Sequence, residues 1–592
     1  MFNRKKRMFE GQERSNDEAG GGRHSASLSS LLTKKVKKEH HDTGSLERMA
    51  QRSNLNTRNE EVFVSNGDFY DNPFDDPDDE ICVLNADEVF KKIGFSQEVQ
   101  DFYMKKKNIR DLHNWQKECL TEPNFLNGEN FILSLKTGAG KNLVAELMML
   151  REGLVNNKNC IIVLPYVAAA QEKARSLSAF EELEIFAEEY TGSEGKIPPV
   201  KRRKGQNIFV ATYERANTLM DKLIKENRLG EIGLFVVDGL HMIGEKGRGD
   251  TVEKLIFKYL MLGSVQIIGM SSALGPDDKT EMCKFMRAKL FSSNFQPVKV
   301  VERVKIGDSL YNVSKKGDLI IHSKMGINDI NRNDDSDGLI SLIKGIVPQK
   351  SVVVFCPTKD NSEHVCEMIA TLLPGSFKKP NVQRQEIIDN IKNENGGYIE
   401  ETMKIGICAG IAYHHSGLTN GEKFWIETGF KTGALYALCA TSTLCTGVNL
   451  PARCVIIKQP FIGKDFLEKS GYIQMIGRAG RSGYEGESIT IVGRRCEWKF
   501  RNMLKSPLKS CRSQLLNEVN LEKFIKNLIY LKLVKNVEGL RDSLSKTLAG
   551  IQNNDECLSL MEEVLQSLKA RDVIKIENGV RLKLNYQQCN CL

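Results

Sequence analysis

Short apolar runs alternate with longer stretches of mixed polarity through the middle of the chain. Runs that are apolar at nearly every position predict strands buried on both faces of a sheet, and intervening helical stretches predict parallel pairing. Five runs precede residue 295 and five follow it: 130–135, 160–165, 207–212, 234–238 and 265–272, then 351–358, 404–410, 434–441, 454–460 and 487–493. The pattern therefore predicts two tandem α/β domains, at residues 89–295 and 296–504.

The two ends of the chain carry different patterns. Residues 1–88 have no sustained apolar period and are rich in small polar and charged residues, which predicts a disordered tail. Residues 505–592 are helix-rich and finish in two short strands around Asn578-Gly579, a sequence typical of a hairpin turn. Helices closed by a β-hairpin indicate a winged-helix domain.

Composition excludes some classes of protein and leaves others open. Among 592 residues, 41% are hydrophobic and 27% charged, and no apolar run reaches the roughly 18 residues that predict a membrane-spanning helix. The 15 cysteines show no Cys-x-x-Cys spacing, which favours free thiols in a reducing interior over disulfides or a zinc site. A net charge of +8 permits an anionic partner such as nucleic acid without requiring one.

Two segments of the N-terminal tail have alternative interpretations. The basic run KKVKKEHH (34–41) is either a nuclear import sequence, which would place the protein in the nucleus, or a solvated charge run. The acidic and aromatic run DFYDNPFDDPDDEI (68–81) either docks on a partner, such as a repair protein, or is a non-binding linker.

A glycine-containing loop follows the first apolar run. Its sequence SLKTGAGKN lets backbone N–H groups at the start of a helix face phosphate oxygens, and Lys141 is expected to reach the β- and γ-phosphates of ATP. Asn142 stands where a Ser or Thr hydroxyl would bind Mg²⁺, and an amide oxygen can also ligate a hard cation. Asp238, at the end of a buried run, is the expected second magnesium ligand. The predicted nucleotide-binding residues of the loop are Thr137, Gly138, Ala139, Gly140, Lys141 and Asn142.

A second group of candidate residues lies in QMIGRAGRSG (474–483). Arg478 and Arg481 are three positions apart, so on a helix they face the same way. Two arginines directed into the cleft between tandem α/β domains can act as arginine fingers on a γ-phosphate, a contribution of ~10³–10⁵ in rate in known systems. Gln474 begins the same segment.

Several motifs occur in one order that resembles superfamily-two DNA helicases of the helicase-Q type, also called polymerase-theta-like helicases. The resemblance covers about residues 95–580, and its most specific strings are GVNLPAR (447–453) and QMIGRAGR (474–481). It implies two RecA-like domains and an ATP-dependent translocase that moves 3′ to 5′ along single-stranded DNA. It also implies a role in the repair of stalled or crosslinked forks, with single-stranded or forked DNA as the partner.

The resemblance also implies roles for individual residues. Gln116 would read adenine, and His241 would couple the nucleotide site to the second domain. Residues 454–472 would carry a strand-separating hairpin. The positions at which the family grips the DNA backbone correspond to Thr191, Gly192, Ser193, Thr212, Thr358 and Thr441.

The chain departs from the family pattern at the steps that follow ATP binding. The family's Asp-Glu-x-His box has Gly239 in place of the glutamate that would activate water, a contribution of typically ~10²–10⁴ in rate. Asn142 replaces the magnesium hydroxyl, and a Ser-Ala-Thr motif reads Ser-Ser-Ala at 271–273. The sequence also stops near the end of the winged helix, where the family continues into a ratchet domain. We therefore expect a helicase with weakened turnover, a pseudo-helicase that binds ATP and DNA or protein, or a truncated product.

Overall fold

The structure, a computed structural model, describes residues 84–107, 109–200, 204–262, 265–293, 295, 298–324, 335–447, 450–480, 484–577 and 581–585. The segments 34–41 and 68–81 lie outside these residues. The first described helix, α1 (Ala86–Lys92), is capped by Asn85, whose side chain accepts a hydrogen bond from the Glu88 N–H. The first helix thus includes the last three residues of the predicted tail, 86–88. Over the described residues, no helix is long and apolar enough to cross a membrane.

Seven described strands form the first sheet, all of them parallel, in the order β3-β4-β2-β5-β6-β1-β7. They are β1 (Asn130–Leu135), β2 (Asn159–Leu164), β3 (Ile185–Tyr190), β4 (Gln206–Thr212), β5 (Ile232–Asp238), β6 (Gln266–Ser271) and β7 (Ala288–Ser293). The helices around them are α2 (Gln97–Lys106), α3 (Asn114–Thr121), α4 (Pro123–Leu126), α5 (Lys141–Leu154), α6 (Val167–Leu177), α7 (Tyr213–Lys225), α8 (Gly249–Leu262) and α9 (Pro276–Met286). Near-continuous burial of β1, β2 and β5 explains their unbroken apolar sequences.

The second sheet has eight described strands in the order β10-β9-β8-β17-β14-β11-β13-β12. β8, β9 and β10 are joined antiparallel and the other neighbours are parallel. Its strands are β8 (Val300–Ile306), β9 (Ser309–Val313), β10 (Leu319–Lys324), β11 (Val352–Phe355), β12 (Ile411–His414), β13 (Ala437–Ala440), β14 (Cys454–Ile457) and β17 (Gly486–Val492). The accompanying helices are α10 (Leu339–Ile346), α11 (Lys359–Leu372), α12 (Val382–Glu394), α13 (Glu401–Cys408), α14 (Asn420–Thr432), α15 (Thr443–Gly447), α16 (Lys469–Ile476) and α17 (Glu497–Lys505).

One predicted strand of this sheet is wrong. Residues 404–410 lie mostly in α13, and the strand at this place is β12. Met403 and Ile407 are four residues apart and both buried, which is the spacing of one helix face. A Cβ on Gly406 would lie 2.9 Å from the Ile411 carbonyl oxygen, so the glycine permits close packing of the helix on the chain that follows it.

The C-terminal part folds as helices followed by a hairpin, as predicted. Its elements are α18 (Glu518–Tyr530), α19 (Val537–Ser545), α20 (Leu548–Gln552), α21 (Asn554–Ala570), β18 (Ile574–Glu577) and β19 (Arg581–Leu584). β18 and β19 pair antiparallel, and the predicted turn at Asn578-Gly579 lies outside the described residues. This domain shares one apolar core with the first domain, where the rings of Phe257 and Phe524 meet edge to face at 5.5 Å. The architecture confirms the predicted α/β fold class of two RecA-like domains followed by a winged-helix domain.

Candidate functional site

The candidate site lies at the carboxyl edge of the first sheet. β1, β6 and β5 are neighbours, and Ser134 pairs in register with Ser271 while Asp238 pairs with Met270. The chain therefore leaves three adjacent strands at one edge, carrying the glycine loop, Ser271 and Asp238. This edge is where ligands bind in open parallel sheets.

The glycine loop is held in shape by α3. Gly138 and Gly140 have φ of 84° and 95°, a left-handed conformation that favours glycine. Trp115 Nε1 donates to the Ala139 carbonyl at 3.1 Å, and Gln116 Nε2 donates to the Gly140 carbonyl at 3.1 Å. A Cβ on Gly140 would lie 2.6 Å from that Gln116 nitrogen. Gln116 thus supports the phosphate loop, and its role as the adenine reader stays a prediction.

Lys141 begins α5 and folds back over the loop. Its Nζ donates to the Leu135 carbonyl at 2.7 Å and to the Lys136 carbonyl at 3.0 Å. Burial lowers the pKa of Lys141 to about 8, while the charge of Asp238 acts in the opposite direction. Asn142 follows it, exposed in the first turn of the helix. An ammonium group at a helix N-terminus suits an anionic ligand, which would favour its charged form.

Asp238 ends β5 among positive charges. Burial raises the pKa of its carboxyl, and Lys173, Lys141 and Arg478 act in the opposite direction. Within the described residues, no group of three or more His, Cys, Asp or Glu side chains is placed to hold a metal ion. Mg²⁺ at a nucleotide needs no such group, because phosphate oxygens and water fill most of its coordination shell. Ligation of Mg²⁺ by Asp238 and Asn142 therefore stays a prediction.

His241 joins the two RecA-like domains. Gln474 Nε2 lies 3.0 Å from His241 Nε2, and His241 Nδ1 lies 3.2 Å from Ser271 Oγ. An amide nitrogen only donates, so Nε2 of His241 accepts and its proton sits on Nδ1, facing Ser271. Burial, assisted by the charge of Lys141, lowers the pKa of His241 to about 4, which keeps the ring neutral.

Arg478 approaches the same site from the second domain. Its Nη2 donates to the Cys445 carbonyl, and its buried Nε meets no acceptor among the described residues. A Cβ on the neighbouring Gly477 would lie 2.9 Å from Thr137 Cβ, so the arginine segment touches the glycine loop. A guanidinium with a buried, unused Nε donor that is close enough to Asp238 to feel its charge fits the γ-phosphate of ATP. Arg481 lies outside the described residues.

Two of the six predicted DNA-contacting residues line one pocket on the first domain. Gly192, after β3, and Thr212, the residue before α7, lie on the wall of a cavity of about 380 Å³ with Arg215 and Arg248. We call this pocket the ledge. Sequence reasoning singled out neither arginine, although Arg215 lies in the motif VATYERAN (210–217) and Arg248 in VVDGLHMIGEKGRG (236–249). Arg215 donates to the carbonyls of Glu194 and Gly195 at 2.8 and 2.9 Å, which fixes the loop that carries Gly192.

The remaining DNA-contact candidates are distributed as follows. Thr191 is buried and contacts Glu189, whereas Ser193 is exposed on the loop after it. Thr358 caps α11 by accepting from the Asn361 N–H at 3.2 Å. Thr441 Oγ1 lies 2.9 Å from Thr443 Oγ1. Thr358 and Thr441 follow β11 and β13, which are adjacent strands, so they share the carboxyl edge of the second sheet.

The residues predicted to carry a hairpin contain one. β15 (Phe461–Ile462) and β16 (Asp465–Phe466) pair antiparallel, and the rings of Phe461 and Phe466 meet edge to face at 5.4 Å. Ile462 is exposed at its end. The strand-separating role of this hairpin stays a prediction.

Comparison with known proteins places this geometry in a family. The chain matches the DEAD/DEAH box helicase family over residues 114–281, the helicase conserved C-terminal domain over 337–483 and a helix-turn-helix domain over 486–575. It is 42% identical to Helicase POLQ-like of Caenorhabditis elegans over 81% of this chain and 52% of that protein. The corresponding human protein is 40% identical over 80% of this chain and 44% of the relative. ATP-dependent DNA helicase Hel308 of Caldivirga maquilingensis is 29% identical over 77% of this chain and 59% of the relative.

The chain belongs to the helicase-Q, or polymerase-theta-like, family of superfamily-two helicases. It spans about half the length of the Helicase POLQ-like relatives it matches. The departure from the family pattern at Gly239 has a structural counterpart. Gly239 has φ of 77°, and a Cβ there would lie 3.1 Å from Tyr213 Oη. Tyr213 Oη donates to the Asp238 carbonyl at 2.6 Å, so a hydroxyl and a left-handed backbone stand where the family box has its glutamate.

The linker between the second domain and the winged helix crosses the loop that follows Asp238. Cys511 Sγ contacts the His241 carbonyl at 3.5 Å, and the Cys511 N–H donates to Asp278 at 2.8 Å. Gln514 donates to the Gly244 carbonyl at 3.3 Å. Glu245, which follows this loop, is exposed. Sequence reasoning missed the linker contacts because they join positions about 270 residues apart.

Proposed function

We propose that the protein binds ATP with Mg²⁺ at the glycine loop and single-stranded or forked DNA along the two RecA-like domains. In this proposal it is a 3′-to-5′ single-strand translocase and helicase whose turnover is weakened at Gly239 and Asn142. The bridge from Ser271 through His241 to Gln474 carries the proposal, because it connects the nucleotide edge of one domain to the arginine segment of the other.

The residues divide the work of the cycle. Lys141 and Arg478 bind and neutralise phosphate oxygens from opposite sides of the cleft, and Asp238 holds the magnesium ion, which supplies charge neutralisation when bound. The His241 bridge transmits the position of the second domain to the nucleotide edge. Thr212 and Thr358 represent the two surfaces that contact the DNA backbone, where hydroxyl and backbone groups position a strand without reading its sequence.

A second candidate function is a pseudo-helicase that binds ATP and DNA, or a protein partner, without useful turnover. The left-handed Gly239 backed by the Tyr213 hydroxyl favours it, because no carboxylate occupies the position of the family's water-activating glutamate. Steady-state ATP hydrolysis with and without single-stranded DNA separates the two functions. A DNA-stimulated rate near 1 s⁻¹ or above, within the ordinary enzyme range, contradicts the pseudo-helicase.

The control is Lys141→Ala, which should abolish nucleotide binding in both cases. Binding of a fluorescent ATP analogue without hydrolysis above that control would support the pseudo-helicase. The cellular role is a further part of the proposal: action in the nucleus at stalled or crosslinked forks, with a repair protein as a possible second partner. This role predicts that cells lacking the protein become sensitive to crosslinking agents. Normal survival of such cells would contradict the role.

A further inference from the structure

A groove of about 610 Å³ lies between the first domain and the winged-helix domain, beside their shared core. α7 and α8 form one side and α18 forms the other. We call it the interdomain groove. Its volume falls within the ~300–1,000 Å³ of typical ligand sites. Neither the nucleotide site nor the ledge uses any of its lining residues.

Positive charge predominates in the interdomain groove. Its charged lining consists of Lys222, Lys225, Lys254 and Lys523 with Asp221 and Asp250. Both aspartates are engaged from within, because Asp250 pairs with Lys254 at 2.7 Å and Asp221 pairs with the buried Lys258. Lys222 and Lys523 are exposed, on opposite sides of the groove, and form no ion pair in the described part of the chain. Two free ammonium groups thus face a space with no carboxylate left to neutralise them.

The interdomain groove continues the ledge along one helix. Arg215, in the first turn of α7, lines the ledge, and Thr218, one turn later, lines the groove. On the other wall Arg248 lines the ledge and its neighbour Gly247 lines the groove. α7 has 13 residues, so a path along it is ~20 Å long.

We propose that the interdomain groove holds the sugar-phosphate backbone of single-stranded DNA that continues from the ledge. This inference rests on the proposed function, since it takes the ledge as a DNA contact. The groove follows α7 only from Asn217 to Lys225, which is ~12 Å of helix. Phosphates along one strand are at least ~3.4 Å apart, so the groove adds at most about four nucleotides to the bound length. Lysines and amides contact phosphates without reading bases, so the extra binding is independent of sequence.

The test is the affinity for single strands of increasing length, from 6 to ~24 nucleotides, measured by fluorescence anisotropy. The variant is Lys222→Ala with Lys523→Ala. The matched control is Lys431→Ala with Lys569→Ala, two exposed lysines in the last turns of α14 and α21 that line neither pocket. Both double variants remove the same charge, so a general electrostatic effect appears in both.

We expect the groove variant to bind long strands roughly 20-fold more weakly at 0.1 M salt and short strands as the wild type does. The slope of log K against log salt should fall by ~1.4, or 0.7 for each lost phosphate contact. A photocrosslinking residue at Thr218 should label long strands only. The inference is supported if the groove variant loses more DNA affinity than the control variant and if this difference is confined to long strands.

Four results overturn it. If the two double variants bind strands of every length equally, or if Thr218 labels no DNA, the groove does not bind DNA. Either result leaves the proposed DNA contact at the ledge unaffected. If wild-type protein binds no single-stranded DNA at all, the proposed function fails and the inference fails with it. If an acidic peptide of residues 68–81 binds in a Lys222- and Lys523-dependent way while DNA affinity is unchanged, the groove binds peptide instead.

Discussion

Restoring the family's glutamate at position 239 tests the structure most directly. In the left-handed region an L residue costs about 1–2 kcal/mol relative to glycine, and Gly239 has φ of 77°. A Cβ there would lie 3.1 Å from Tyr213 Oη, 3.5 Å from Met242 Cγ and 3.7 Å from Pro165 Cγ. None of these neighbours belongs to the glycine loop. On the present backbone the new side chain would therefore start away from the phosphates.

We expect Gly239→Glu alone to increase DNA-stimulated ATP hydrolysis less than 10-fold. A positioned base is typically worth ~10²–10⁴, so most of that gain should be missing. Gly239→Ala is the matched control, because it carries the same backbone and Cβ cost without the carboxylate. Both variants should lower the free energy of unfolding by about 1–2 kcal/mol. Adding Tyr213→Phe removes the obstructing hydroxyl and should increase the rate of the glutamate variant further.

The assays are steady-state phosphate release with saturating single-stranded DNA and equilibrium unfolding in urea. The reasoning is refuted if Gly239→Glu alone is at least 100-fold faster than Gly239→Ala while both are as stable as the wild type. That outcome would mean that the backbone at position 239 can adopt another conformation without loss of stability. It would also mean that the end of β5 can place a catalytic carboxylate.

Three further predictions follow from hydrogen bonds and pKa values. Because the pKa of Lys141 is lowered to about 8, ATP binding near pH 8 should be accompanied by proton uptake, and ATP affinity should fall above that pH. Calorimetry in buffers of different ionisation enthalpy measures the proton uptake, which Lys141→Arg should abolish. His241→Ala and Gln474→Ala remove the same hydrogen bond, so their effects on stability should be non-additive by about 1 kcal/mol; additive effects contradict the bridge. Burial raises the pKa of Glu253 to about 7, so its stabilising contribution is full below its unfolded pKa of about 4.3 and lost as pH rises through 7. Glu253→Gln should remove this decline, roughly 3 kcal/mol between pH 4 and 8, in urea unfolding of both proteins.

Sequence patterns predicted the strands that are buried on both faces. The runs at 130–135 and 207–212 agree with β1 and β4 to within a residue, because each is mostly apolar and ends at a turn or helix. β3 was missed, since its middle is half-exposed and carries two glutamates at an edge of the sheet. The run at 404–410 was misassigned because a short apolar run fits a buried strand and a buried helix equally well.

The candidate site was predicted only as far as its residues are local in sequence. Spacing alone identified the glycine loop and Lys141, and the structure places both at the sheet edge with Asp238. The hydroxyl of Tyr213 lies 25 positions from the carbonyl it contacts, and no local pattern connects them. Backbone conformation at Gly239 was equally inaccessible, because glycine is compatible with either sign of φ.

The packing indicates which domain would move on ATP binding in the proposed function. The first domain and the winged helix share a continuous apolar core, in which Glu253 also accepts hydrogen bonds from Ser513 and Ala549. The second domain has a separate core and meets the nucleotide edge of the first through polar or small contacts, such as His241 with Gln474. Separating a shared apolar core costs far more than exchanging a few hydrogen bonds with water. The first domain and the winged helix should therefore behave as one body, so that phosphate contacts to Arg478 shift the second domain against the ledge and the interdomain groove together. Such a shift would need ATP binding but not ATP hydrolysis. A chain without the water-activating glutamate should therefore still make it.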